Sequence, residues 1–395
     1  MSAYGGIERN KMSKKDVLVV GAMRSPIGNG RKDSSLLGMT PQDLACQVLG
    51  AQFLKVSFPR SAIESFKLGA VVSLKSSAVK QGLAREIALR AGMFNSSSSI
   101  AEKVCSSGLL AIAEAADSIR YHECDLAIGA GVDLMSGVPY EVNVGALTDP
   151  ITGKSMSELS DGKARELGFT REDYDGYALL SYARAKKHLY DYERCGYLAP
   201  VILNPVSGSE HARIINFDQN VMIHDQKLEK LKNILISGCE ITTVRNASKY
   251  GDGYGNLVLA SPRVARRWRL RPLAKILSYA EHTEKESKDF ICAPTGAVLK
   301  AVEAAKIPFC SIESFWINEA FPGSPLYFID KIPEATWENV NPWGGAIAFG
   351  HPLGATGAIL CVNAICQARK DDNKYIVVSL CNAIGEATAM VFEIM

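Results

Sequence analysis

The sequence carries no surplus of either charge, no Cys-x-x-Cys pair and no long apolar helix, and each absence removes a class of function. Its 44 Lys and Arg stand against 42 Asp and Glu, a formal net of +2. Phosphate recognition needs clustered positive charge, so no nucleic-acid partner is expected. The one basic cluster, Arg263, Arg266, Arg267, Arg269 and Arg271, is interrupted by Val, Ala, Trp and Leu. It reads either as a solvated helix end or as a site for an acidic cofactor tail. The ten cysteines are scattered, which excludes a zinc ribbon and argues against a disulfide framework. With no apolar signal segment in the first thirty residues, they read as buried free thiols in a reducing compartment. The cytoplasm is the expected location, with an organellar matrix left open. No metal is expected. GxSxG, HExxH and a dinucleotide GxGxxG are missing in context, which leaves a hydrolase or dehydrogenase without support. Thr148 to Ser155 ends like a phosphate-binding loop but lacks the opening glycine.

Asn339 to Ala368 holds no Asp, Glu, Lys or Arg and is long enough to cross a bilayer. Pro342, Pro352, His351 and five glycines before Ala358 break it into turns, so no membrane span is expected. A charge-free stretch of this kind reads as a wall around an active site.

What is present is an ordinary globular composition, 47% hydrophobic over 395 residues, enough for two or three compact units at ~150 residues each. Residues 1–13 read as a loose leader. Lys15 to Ala22 reads as a buried strand, Pro41 to Phe53 as a helix and Ser65 to Ser73 as a strand. Val79 to Gly92 and Cys105 to Tyr121 read as helices, and Asp125 to Gly131 as a strand. This alternation predicts an α/β architecture. From Ser136 to about Tyr250 the chain turns polar and helical, as an inserted subdomain would. A second α/β pattern follows, with Tyr375 to Leu380 a strand running into Cys381. Two similar halves, each delivering a cysteine at a strand end, predict a pseudo-twofold site between them.

Four segments could carry chemistry. Cys105, in Glu102-Lys103-Val104-Cys105-Ser106-Ser107-Gly108, stands where a loop enters a helix. Backbone N–H groups and the helix dipole there favour thiolate, and both a nucleophile and a structural cysteine fit. His351 lies in an uncharged run, Gly344 to Gly357, and is apt as a general base. Cys381 opens Cys381-Asn382-Ala383-Ile384-Gly385-Glu386 and is weak evidence alone. Asn318, after the apolar Phe315-Trp316-Ile317, is either a turn former or an amide that holds a water or an oxyanion.

Together these segments resemble the thiolase family along nearly the whole chain. The likeness rests on EKVCSSG at Cys105, Asn246-Ala247-Ser248 leading to Asp252-Gly253, INEAF at Asn318, GGAIAFGHPLGATG at His351, MRSPIG near Met23, GVDLMSGVPY near Val132 and the closing CNAIGEATAMVFE. The resemblance implies a five-layer αβαβα fold of two mixed α/β halves. Residues 14–134 with 251–272 would form the N-terminal half, 135–250 an inserted loop domain covering coenzyme A, and 273–395 the C-terminal half. It implies a homodimer or homotetramer and CoA or acyl-CoA as substrate, with no permanently bound cofactor. Cys105 would be the acylated nucleophile, His351 its base, Cys381 the acid and base at the substrate α-carbon, and Asn318 the holder of an oxyanion-hole water. Ser248 would help hold CoA, and the N–H groups of Cys105 and Ala383 would line a second oxyanion hole. The activity implied is cleavage of a 3-ketoacyl-CoA in fatty-acid breakdown, or the reverse condensation of acetyl-CoA to acetoacetyl-CoA. The competing reading is a thiolase-like acyl-CoA-binding or assembly protein with weak turnover. Its basis is the closing loop, where Ala383 replaces a usual glycine and would be strained at positive φ, and where Glu386 adds a carboxylate. Phe290 to Pro294, Ser155-Met156-Ser157 and Tyr254-Gly255-Asn256 also depart from the family pattern, which leaves acyl length unread.

Overall fold

The computed structural model describes residues 16–203, 212–222 and 225–395; the expected leader, 1–13, lies outside them. Among the described residues eleven strands form: β1 Val17–Arg24, β2 Ser65–Gly69, β3 Ser97–Ala101, β4 Leu126–Leu134, β5 Val201–Leu203, β6 Arg213–Ile215, β7 Asp252–Ala260, β8 Ala274–Thr283, β9 Ser314–Ile317, β10 Tyr375–Cys381 and β11 Glu386–Ile394. Nine join in the order β3-β2-β4-β7-β1-β8-β11-β10-β9, and β5 pairs with β6.

Alternation of side chains along these buried strands explains the layering. Along β1, Val17 and Val19 enter a central core while Leu18 and Val20 enter an outer one; along β7, Leu257 and Leu259 divide from Val258 and Ala260 in the same way. Along β10, Ile376, Val378 and Leu380 face the central core and Val377 faces the opposite outer core. Helices Pro41–Lys55 and Leu83–Arg90 cover the first outer face, and helices Ala293–Ala305 and Gly323–Lys331 the other. Helices Ser107–Arg120 and Leu353–Lys370 lie between the sheet halves. The result is a five-layer αβαβα sandwich. Its halves meet where β1 and β8 pair antiparallel over Val17 to Val19.

The halves share one plan. β2 lies parallel to β4, as β9 does to β10, and β4–β7 and β10–β11 are antiparallel. The counterpart of β3 is reduced to a single parallel bridge between Phe315 and Val340. This corrects the expected equivalence of the two cysteines. Cys105 precedes the third helix of its half and so corresponds to His351, which precedes Leu353–Lys370. Cys381 corresponds instead to the end of β4, near Asp133.

The charge-free stretch also differs from its reading as a loop. Its second part is an 18-residue helix, Leu353–Lys370, whose Gly354 and Gly357 serve packing rather than breaking. A Cβ on Gly108 would stand 2.9 Å from the Ala358 nitrogen and the Gly354 oxygen, so the first turns of the two central helices approach at backbone distance. No helix among the described residues is long and apolar enough to cross a membrane.

The region expected as an insert contains helices Met156–Glu166 and Arg171–Lys187, each opened by a reciprocal capping box, at Ser155 with Glu158 and at Thr170 with Asp173. Buried Arg24 reaches it by two 2.8 Å bonds to Asp218 while its Nε donates to Asn363 Oδ1 at 2.7 Å, which ties this region to the helix that follows His351.

Candidate active site

Cys105 lies in a 3₁₀ turn, Val104–Ser106, before helix Ser107–Arg120. Val104 has φ +46°, a strained setting for a β-branched residue and one that occurs at functional turns. Gly350, with φ +108°, turns the opposing chain so that the His351 N–H donates to the Lys249 carbonyl at 2.8 Å. The His351 ring then lies with Nε2 3.2 Å from Cys105 Sγ.

The imidazole tautomer follows from its other neighbour. Thr356 Oγ1 donates its one proton to the Pro352 carbonyl at 2.8 Å and stands 2.7 Å from His351 Nδ1. That oxygen can therefore only accept, which places the ring proton on Nδ1 and leaves the Nε2 lone pair facing the thiol. Asn318, just after β9, sets Nδ2 3.5 Å from Nε2, and its buried Oδ1 has no partner among the described residues.

Burial governs the protonation states. It lowers His351 to about 4, and it raises Cys105 well above its ordinary range, with the Cys381 thiol and Asp133 adding to the effect. The helix start does not outweigh this, contrary to the thiolate expected from sequence. At rest the pair is neutral thiol and neutral imidazole. Burial also raises Cys381, at the end of β10, to about 11, although the Ser324 hydroxyl 3.9 Å away opposes the shift.

Cys105, His351, Cys381, Ala383 and Ser248 all line one cavity of about 410 Å³, with Met156, Phe290 and Phe321 among its apolar walls. Asn318 stands behind His351 and is buried. The Cys105 turn and the closing loop are linked twice: Ser106 Oγ donates to the Leu380 carbonyl at 3.4 Å, and Lys103 Nζ lies 3.4 Å from Glu386 and 2.9 Å from Glu281. Ala383 is not among the residues with positive φ; the strain falls on Ile384, at φ 71° and ψ 26°. The concern about Ala383 is thus moved by one residue.

Three supports were not read from the sequence. Thr356 fixes the tautomer. Asp133, raised by burial to about 6, accepts from the N–H groups of Gly354 at 2.6 Å and Ser73 at 2.8 Å, anchoring the helix that begins beside His351. Buried Glu319 accepts from Tyr177, Ser181, Asn341 and the Ile347 N–H, fastening the Asn318 segment to the turn before His351. Thr356 and Asp133 are lone polar residues in apolar or glycine-rich runs, and Glu319 follows Asn318 within the INEAF segment. Only position against β4, or beside Asn318, could have drawn attention to them. Among the described residues no cluster of three or more His, Cys, Asp or Glu is placed to hold a metal ion.

Residues 17–148 match the thiolase N-terminal domain and residues 270–394 the thiolase C-terminal domain. The chain belongs to the thiolase family. An acetyl-CoA acetyltransferase of Candida tropicalis is 30% identical, covering 97% of this chain and 98% of its own. The Acat5 thiolase from Ascaris suum, solved in complex with coenzyme A, superposes with a TM-score of 0.84 at 30% identity over 96% of this chain and 100% of its own. Human mitochondrial 3-ketoacyl-CoA thiolase, also in complex with CoA, gives 0.87 at 25% identity over 96% of this chain and 98% of its own. Within the thiolase frame, Ser155-Met156-Ser157 acquires a structural explanation. Ser155 is the N-cap of helix Met156–Glu166, closing its capping box with Glu158, and all three residues line the cavity.

Proposed function

We propose that this thiolase is an acyltransferase that cleaves 3-ketoacyl-CoA with free CoA, and condenses two acetyl-CoA molecules in reverse, through an acyl-Cys105 intermediate. The observation that carries the assignment of roles is the 3.2 Å contact between Cys105 Sγ and a His351 nitrogen left bare by Thr356. As the ketone carbonyl approaches, the Cys105 proton passes to His351 Nε2 and the sulfur adds to the carbon. The developing oxyanion is held at the N–H groups of Cys105 and Ala383, and a water on Asn318 serves the thioester oxygen of the other half. When the carbon–carbon bond breaks, the electron pair stays on the departing α-carbon and Cys381, a protonated thiol, supplies its proton. The Cys381 thiolate left behind takes the proton of CoA–SH, the CoA thiolate attacks the Cys105 thioester and the shortened acyl-CoA leaves, and the departing Cys105 sulfur recovers its proton from His351 Nε2. CoA is a substrate here, entering past Ser248 and the helix Met156–Glu166 end of the cavity.

The names borne by the curated relatives favour acetoacetyl-CoA as the working substrate over longer chains. Ten free cysteines fit a reducing compartment, cytoplasm or organellar matrix alike. The outer edge of β3 supports assembly as a dimer or tetramer, since an unpaired strand edge is ordinarily covered. The test is thiolysis of acetoacetyl-CoA and of a longer 3-ketoacyl-CoA side by side, with peptide mass spectrometry of the acylated enzyme. Turnover with the acyl group on Cys105 is expected. Turnover of neither substrate would leave the acyl-CoA-binding protein as the better reading, and an acyl group on Cys381 would overturn the roles.

A further inference from the structure

A second cavity, of about 630 Å³, lies between β1, the C-terminal turn of helix Pro41–Lys55, the Cys195–Tyr197 segment and the C-terminal end of helix Leu353–Lys370. That helix is 18 residues long, so this cavity is about 27 Å along it from the end that carries His351. Five of its lining residues are cationic, Lys55, Arg269, Arg271, Arg369 and Lys370, and none is Asp or Glu. Lys370 is neutralised from outside by Asp191 at 2.7 Å. Lys55 donates to the carbonyl of Gly196, a bond that leaves its charge uncompensated, whereas Arg369 donates to the oxygens of Leu273 and Met395. Arg269 and Arg271 have no carboxylate partner among the described residues, and they are the end of the basic cluster noted in the sequence.

Two further features point to a ligand. Gln52 lines the cavity at 2% exposure with a buried Oε1 that has no partner among the described residues; the amide nitrogen and oxygen are assigned from hydrogen bonding, so either end can face an occupant. Cys195 is also in the lining, exposed, with its thiol against that of Cys366, which is buried. The only other exposed cysteine among the described residues is Cys310, which is outside this cavity.

We propose that this cavity is an anion site that delivers small anionic disulfides, those carrying carboxylate or phosphate groups, to Cys195. Cys195 gives its proton to solvent and its sulfur attacks one sulfur of R–S–S–R. The Cys195–S–S–R bond forms as the original S–S bond breaks, and the other half leaves as R–S⁻, so one disulfide replaces another without net oxidation. The product expected is the mixed disulfide at Cys195, with the buried Cys366 thiol left reduced.

The test uses the full chain, a dianionic aromatic disulfide, 5,5′-dithiobis(2-nitrobenzoate), and a neutral one, 4,4′-dithiodipyridine, with peptide mass spectrometry to locate each adduct over time. With the anionic reagent, Cys195 is expected to react about tenfold faster than Cys310, a preference that 0.5 M NaCl removes because it arises from screened charge. The neutral reagent should discriminate less than about threefold between them. Arg269→Gln with Arg271→Gln, both at exposed positions, should abolish the anionic preference while thiolysis and the neutral rate hold. Equal labelling of Cys195 and Cys310, the same preference with the neutral reagent, a preference that survives the double variant, or loss of two hydrogens in place of an adduct mass would each overturn the proposal.

Discussion

Thr356→Val isolates the least visible part of the catalytic arrangement. The substitution keeps shape and removes one oxygen, the acceptor 2.7 Å from His351 Nδ1. A buried N–H left without a partner costs about 1–3 kcal/mol. The imidazole escapes this cost by moving its proton to Nε2, but the bare nitrogen then faces away from Cys105 Sγ. The productive tautomer is therefore disfavoured by the same amount, and acylation by acetyl-CoA should slow about 10–100-fold. Rapid-quench measurement of acyl-enzyme formation reads this directly, with thiolysis of acetoacetyl-CoA alongside. A general loss of packing would lower stability without selecting for the tautomer, so Thr356→Ser, which keeps the hydroxyl and drops a methyl, is the control. It should recover most of the rate although its stability is no better. Acylation by Thr356→Val at the wild-type rate, or Thr356→Ser as slow as Thr356→Val, would refute the reasoning.

The other expectations concern neighbours of the same pair. Cys381→Ala should keep acyl-enzyme formation from acetyl-CoA yet lose roughly 10²–10⁴ in carbon–carbon cleavage, measured as acetoacetyl-CoA thiolysis; parallel loss of both would place Cys381 in the first half-reaction. His351 is held at about 4 against an ordinary 6.5, so between those values the unfolded chain takes up its proton first and stability falls as pH drops. Denaturant midpoints at pH 7 and pH 4.5 should show a fall of about 2.4 kcal/mol that His351→Gln lacks. At the closing loop, Ile384→Gly should exceed Ala383→Gly in unfolding free energy by about 1–2 kcal/mol, because only Ile384 occupies the left-handed region; equal effects would mean that the strain is not where φ places it.

What the sequence disclosed depended on whether a residue belongs to a pattern. Helix Pro41–Lys55 was readable because Thr40 caps it and Pro41 fills its first position. Strand β4 runs to Leu134, beyond the Gly131 expected as its end; Asp133 is fully buried inside the strand and its carboxylate accepts from the first turn of a neighbouring helix. Helix Leu353–Lys370 was read as turns because Gly354 and Gly357 carry an intrinsic helix penalty, which the close backbone approach to Ser107–Arg120 overrides. Cys105, His351 and Cys381 stood out through their neighbours. Thr356, Asp133 and Glu319 did not, since a polar residue that belongs to no periodic pattern acquires meaning only from what it faces.

The correspondence between Cys105 and His351 explains why the proposed nucleophile and its proposed base meet although 246 positions separate them. Each precedes the central helix of its half, and the two helices are in contact through Gly108 on one side and Gly354 and Gly357 on the other. The separation between Sγ and Nε2 is thus set by how closely two backbones approach. Gly108→Ala tests this link. Its Cβ would stand 2.9 Å from the Ala358 nitrogen and the Gly354 oxygen, backbone atoms with no free rotation, so the helices must part by a few tenths of an ångström or more. Overpacking of this kind costs about 1–3 kcal/mol of stability. The functional cost should be larger, since a misplacement near 1 Å at a reacting pair is worth about 10²-fold in rate. Acylation should therefore fall by more than the stability change alone would produce at temperatures where the variant is fully folded. If Gly108→Ala unfolds earlier but acylates within about threefold of the parent enzyme while folded, the helix crossing does not set the Cys105–His351 distance, and the local turn at Val104 must set it instead.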